Sequence, residues 1–128
     1  MERATTDASP HVLLVDDSPI DRLLASKVLK RLNIRVTAVE GPKEALKFLE
    51  TEHDVKLILT NFRMPDMTGY DLLMQVKESP KLKHLPVVIA SGDNIPERVQ
   101  MCLNGGAKEY ISKPVKEDDD VRRILSYI

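Results

Sequence analysis

Leu57-Ile58-Leu59-Thr60-Asn61-Phe62-Arg63-Met64-Pro65-Asp66-Met67-Thr68-Gly69 is the stretch from which the rest of the chain can be read. It opens as a short continuous apolar run, the pattern of a strand covered on both faces, and turns polar at Asn61. It closes on Thr68-Gly69-Tyr70-Asp71, a hydroxyl followed three residues later by an acid, which is how a capped helix begins. A buried strand that hands a polar residue to a loop and then a helix is the building unit of an α/β fold.

The same unit recurs in both directions. His11-Val12-Leu13-Leu14-Val15 and Val87-Val88-Ile89-Ala90 are further apolar runs; Ile34 to Val39 is more mixed and suits an edge strand. Glu109-Tyr110-Ile111-Ser112 makes a short fifth strand. Between them, apolar residues fall at helical spacing: Ile20, Leu23, Leu24, Val28 and Leu32; Ile95, Val99, Cys102 and Leu103; Val121, Ile124, Leu125 and Ile128. Ser18-Pro19-Ile20-Asp21 supplies an N-cap hydroxyl, a proline at the first helical position and an acid, and Asn104-Gly105-Gly106 is a C-cap signal. Repeated alternation of strand and helix predicts a parallel sheet with helices on both faces, joined by right-handed crossovers. Residues 1–10 are polar and patternless and are expected to be a flexible lead-in; 11–128 are expected to form one domain that ends in its fifth helix.

Composition narrows the function classes. Over 128 residues the formal net charge is −1, so bulk attraction to nucleic acid or to an anionic membrane is not expected. The apolar runs are too short to span a bilayer, and no basic-then-apolar leader opens the chain. The single cysteine, Cys102, excludes an internal disulfide and fits a reducing compartment, with burial as a small hydrophobe as its plainest role. His11, His53 and His84 are scattered without metal-ligand spacing.

Asp16-Asp17, Asn61, Ser91 and Lys113 are distant in sequence, yet each stands at or just beyond the carboxyl end of a predicted strand. In doubly wound sheets ligands bind at that edge, where strand order reverses, so these residues are predicted to converge. Adjacent carboxylates at 16 and 17 suit a hard divalent cation such as Mg²⁺; the plainer reading of Asp17 is a contribution to capping the first helix beside Ser18. Lys113, before Pro114, puts an ammonium at the last strand end, and Ser91 beside Gly92 offers a hydroxyl to a phosphoryl oxygen or to its own loop.

From His11 to Ile128 the chain resembles the receiver domains of response regulators. The resemblance implies a five-stranded sheet of flavodoxin-like order 2-1-3-4-5 and a site in which Asp16, Asp17 and the backbone carbonyl of Arg63 hold Mg²⁺. It implies Ser91 as the switch hydroxyl, Tyr110 as the switch aromatic, Lys113 as the partner of the phosphoryl group, and a cis peptide bond before Pro114. Met67-Thr68-Gly69-Tyr70-Asp71-Leu72-Leu73, Val76-Lys77-Glu78-Ser79, Pro86-Val87-Val88-Ile89 and Asn94-Ile95-Pro96-Glu97-Arg98 look like plant type-A regulators of cytokinin signalling. Such proteins are receivers without a DNA-binding output domain that take phosphoryl groups from histidine phosphotransfer proteins and dampen the pathway. The first helix and its neighbouring loops would dock that partner, here through Ser18, Pro19, Arg22 and Pro114. A monomer of the cytoplasm and nucleus, with no direct nucleic-acid or membrane partner, is expected.

Position 61 departs from the family. The resemblance puts the phospho-accepting aspartate there, and the chain has Asn61. An amide keeps the shape and one carbonyl oxygen but lacks the anionic nucleophile that phosphoryl transfer needs. One negative charge also leaves the metal site, so affinity for Mg²⁺ should fall. Two origins fit: a native asparagine in a pseudo-receiver, or an engineered aspartate-to-asparagine replacement. The expected function is a non-phosphorylatable receiver that binds histidine phosphotransfer proteins as a negative regulator, not an enzyme. The alternative is an aspartyl-phosphate-type α/β phosphohydrolase with Asp16 as nucleophile, although the two acids are adjacent and lack the Asp-x-Asp spacing of such enzymes.

Overall fold

The computed structural model describes residues 9–116 and 119–128. Its elements run β1 (His11–Val15), α1 (Pro19–Arg31), β2 (Arg35–Val39), α2 (Pro42–Leu49), β3 (Leu57–Asn61), α3 (Gly69–Glu78), β4 (Val87–Ser91), α4 (Pro96–Asn104), β5 (Glu109–Ser112) and α5 (Asp119–Ser126). All strand pairs are parallel, in the order β2-β1-β3-β4-β5. β1, β3 and β4 are buried along their whole length because helices cover both sheet faces, which is why they read as unbroken apolar runs. The edge strands β2 and β5 are only partly buried, which matches their mixed composition.

Alternate strand residues feed two cores. Leu13, Val15, Ile58 and Ile89 pack with Leu49, Leu72, Leu73, Val76 and Cys102 on one face of the sheet. Val12, Leu14, Leu57, Leu59 and Val88 pack with Ala25, Leu29, Val121 and Ile124 on the other. Cys102 is fully buried, and that burial pushes its thiol pKa up.

The caps follow the sequence. Ser18 accepts from the Asp21 N–H with Pro19 at the start of α1, and Thr68 and Asp71 form a reciprocal capping box on α3. After α4 the left-handed position is taken by Gly106, at φ 113°. The lead-in expected over 1–10 lies, for residues 1–8, outside the described residues. The Ser9 carbonyl accepts from the Arg35 guanidinium, and the Pro10 carbonyl accepts from the Arg35 N–H.

Helical spacing misleads on the buried face of α1. Ile20, Leu23 and Leu24 are 69%, 58% and 47% exposed, and Leu32, at the C-cap, is also exposed. The sheet receives Ala25 and Leu29, one turn apart on the opposite side of the helix, and of the predicted stripe only Val28 packs partly beside them. Ile95, Leu103, Leu125 and Ile128 are likewise exposed, while Cys102, Val121 and Ile124 carry the contacts of α4 and α5.

His11, to which sequence spacing gives no role, clamps the foot of the sheet. Its Nδ1 lies 2.6 Å from Asp54 Oδ1 and its Nε2 lies 2.8 Å from Thr37 Oγ1. Arg35 bonds the second Asp54 oxygen, and Arg35 and then His11 lower the Asp54 pKa to about 2.

Replacing the two kinds of α1 leucine should separate core from surface. Leu29→Ala should lose about 2–5 kcal/mol in urea unfolding, and Leu23→Ala within about 0.5 kcal/mol of nothing.

Candidate functional site

The strand order 2-1-3 makes the chain leave β1 on one side and return to β3 on the other, which opens a cleft at the carboxyl edge between them. Asp16 directly follows β1, Asn61 and Ser91 are the last residues of β3 and β4, and Lys113 directly follows β5. Asp17, Asn61, Arg63, Ser91 and Lys113 line one cleft. Asp16 stands just behind it, 3% exposed.

Close packing fixes Asn61. Its carbonyl accepts from the Thr60 hydroxyl at 3.0 Å, and the Gly69 N–H at the start of α3 donates to the Phe62 carbonyl at 2.7 Å. A Cβ on Gly69 would come within 2.5 Å of the Asn61 carbonyl oxygen, so only glycine lets α3 approach the end of β3 this closely. The Asn61 side chain, in a residue 8% exposed, points its Nδ2 at two oxygens: the Arg63 carbonyl at 2.6 Å and Asp17 Oδ1 at 3.2 Å.

Lys113 closes the other side. Its Nζ is 2.7 Å from Asp16 Oδ2 and 2.8 Å from Asp21 Oδ2, and the peptide bond from Lys113 to Pro114 is cis. The second Asp16 oxygen accepts from the Ser18 N–H at 2.9 Å, and the Asp16 carbonyl accepts from Arg22 Nη1 at 2.8 Å. Burial would lower the Lys113 pKa, but the Asp16 and Asp21 carboxylates outweigh it by hydrogen bond and charge, leaving it above the ordinary lysine value.

The loop after Ser91 is pinned by Asp93. Its N–H donates to Ser91 Oγ at 3.3 Å, and its carbonyl accepts from the Tyr110 hydroxyl at 3.2 Å. Its carboxylate pairs with Arg98 and, at 3.5 Å, with Arg63, while the Arg98 guanidinium lies 4.3 Å over the Phe62 ring. Tyr110 is half-buried against the core.

The profile of the family described as "Response regulator receiver domain" matches residues 12–125. The chain belongs to the response-regulator receiver family. It is 64% identical over 121 residues to the two-component response regulator ORR12 of Oryza sativa subsp. japonica, covering 94% of this chain and 99% of the relative. Among solved structures it resembles the chemotaxis protein CheY4 of Vibrio cholerae, with TM-score 0.86 and 25% identity over 94% of this chain and 100% of the other. It also resembles the receiver domain of a sensor histidine kinase from Pseudomonas aeruginosa PAO1, with TM-score 0.81 and 26% identity over 93% and 96% of the two chains. That protein is described with a magnesium ion coordinated in its active-site cleft.

Receivers bind Mg²⁺ through oxygen atoms, so the donor set here can be tested for fit. Both Asp16 oxygens are engaged, by Ser18 and Lys113, and the Asn61 amide nitrogen is bonded to both Asp17 and the Arg63 carbonyl. In this orientation a nitrogen donor faces the oxygens a cation would bridge, so the set fits a metal ion only with the amide turned. The engaged and buried Asp16 is also poorly placed to be the nucleophile of the alternative phosphohydrolase.

Three residues of this site escape sequence spacing. Asp21 reads as a helix-cap acid and turns out to share Lys113; Asp93, to which the sequence assigns nothing, holds Ser91 and Tyr110 through its backbone, and Arg98 holds the Asp93 carboxylate. A proline-initiated helix beside a strand-end lysine was the available hint for Asp21.

Lys113→Met should leave Asp16 buried without its cation and cost about 3–5 kcal/mol at neutral pH. Because the folded Lys113 pKa is raised, its contribution is complete below the unfolded value of about 10.4 and fades as pH rises through the folded value. Urea unfolding from neutral to strongly alkaline pH should therefore show a loss of stability in the native protein that is smaller in Lys113→Met.

Proposed function

We propose that this receiver docks histidine phosphotransfer proteins of a plant, cytokinin-type phosphorelay without accepting a phosphoryl group, and thereby acts as a negative regulator. The observation that carries the reading is the group at position 61. Transfer from phosphohistidine needs an anionic oxygen in line with the phosphorus, and Asn61 presents an amide whose nitrogen is hydrogen-bonded inward. In this reading Lys113 and Ser91 are the phosphate-contact groups, Tyr110 is the switch aromatic, and Asp16, Asp17 and the Arg63 carbonyl are the cation side of the pocket. Mg²⁺ affinity is reduced, because the position lacks a carboxylate. The pocket keeps its shape and rests in one state.

The surface beside the pocket supports docking. Ile20, Leu23 and Leu24 form an exposed apolar patch on α1, next to exposed Pro19. Contiguous apolar surface of this kind marks interaction sites in soluble proteins. Ser18 and Arg22 hold the start of α1, the first as its N-cap and the second through the Asp16 carbonyl, so they orient the patch. Pro114 is exposed after Lys113.

Incubation with a labelled, phosphorylated histidine phosphotransfer protein and Mg²⁺ should leave the Asn61 chain unlabelled and label Asn61→Asp. Label on the Asn61 chain at a comparable rate would overturn the reading. Leu23→Asp should weaken calorimetric binding to the unphosphorylated phosphotransfer protein by about tenfold or more, some 1.4 kcal/mol, while leaving the fold intact. Unchanged affinity would remove α1 from the interface.

A further inference from the structure

We propose that the Asn61 side-chain amide is a built-in substitute for a cation, so that the pocket is complete without a metal and admits one only when the amide turns over. The inference rests on reading this cleft as the receiver's acid pocket and says how that pocket is stabilised.

The fold creates the problem that the amide solves. Strand ends delivered to one edge crowd oxygen acceptors together, and here Asp17 Oδ1 and the Arg63 carbonyl both approach the end of β3. Acceptors that face one another need either a positive ion or a donor between them. An amide nitrogen carries two N–H groups in one plane, and Nδ2 reaches one oxygen at 3.2 Å and the other at 2.6 Å. An ionised carboxylate at the same place has no donor to give and would add further acceptor oxygens and a charge. Residue 61 therefore decides whether the edge requires a metal.

The remaining acid is already matched from within the chain. Asp16 is paired with Lys113 and capped by the Ser18 N–H, and Asp21 shares the same ammonium. Asn61 itself is fixed at its backbone by the Thr60 hydroxyl and by the tight approach of Gly69. Rotation of the amide about its last side-chain bond is thus the simplest remaining adjustment. Turning it would set Oδ1 against the Arg63 carbonyl and Asp17, an arrangement that only an intervening cation makes favourable. Amide orientation and cation occupancy are coupled.

The full chain can be tested with magnesium chloride alone, without any phosphorelay component. Thermal unfolding of the native protein should give the same midpoint in EDTA and in millimolar Mg²⁺. Asn61→Asp should melt lower than native in EDTA and rise with Mg²⁺ by mass action. In nitrogen-15 spectra of the native protein, the Asn61 side-chain NH₂ should show two resolved protons whose solvent exchange is slower than that of exposed Asn104. The proposal is overturned if Mg²⁺ raises the native midpoint as much as that of Asn61→Asp, or if Asn61→Asp matches native in EDTA. It is also overturned if the Asn61 amide protons exchange as fast as those of Asn104, a readout that stands even if the variant does not fold. None of these outcomes depends on phosphotransfer, so failure of the docking reading and failure of this one are distinguishable.

Discussion

The ion pair between Lys113 and Asp16 ties the two ends of the chain's logic together. Asp16 follows the interior strand β1 into a place 3% exposed, where an isolated carboxylate would be costly. Lys113, delivered from the far side of the sheet by β5, supplies the counter-charge at 2.7 Å, and Asp21 on α1 holds the same ammonium. The pair binds the β5–α5 loop to β1 and α1 across the cleft. Arg22 bonds the Asp16 carbonyl beside it, so α1 is tied to the end of β1 by both its acid and its arginine.

Within that frame, Asn61 changes the chemistry without disturbing the architecture. Its side chain is the size of an aspartate, so the packing of Gly69 against the end of β3 does not depend on which of the two is present. The difference lies in hydrogen-bond polarity: the amide gives donors where a carboxylate would only accept. Asp93, meanwhile, gathers Ser91, Tyr110, Arg63 and Arg98 into one network at the ends of β4 and β5.

Much of this was legible in the sequence, because strand burial and helix caps are local signals. Leu57 to Thr60 reads as a covered strand since both of its faces meet helices, and Ser18 and Thr68 read as caps since capping is completed within one turn. The convergence of Asp16, Asn61, Ser91 and Lys113 followed from their common place at strand ends. The face of α1 was not legible, because Ile20, Leu23 and Leu24 have the same spacing that a core stripe has. Periodicity finds a helix and an apolar side, but the side that meets the sheet is set by where β1 and β3 lie. The sharing of Lys113 by Asp21 and the staple at Asp93 depend on side chains meeting across loops, and no spacing rule encodes that.

The central claim is that this receiver is not switched, and the most direct test is to watch Ser91 and Tyr110 while it is challenged. Proton–nitrogen spectra should be recorded before and after adding a small-molecule phosphodonor with Mg²⁺. The account predicts that the resonances of Ser91, Asp93 and Tyr110 stay where they are in the native protein and move in Asn61→Asp. Movement of those resonances in the native protein, on the scale seen in the variant, would contradict it.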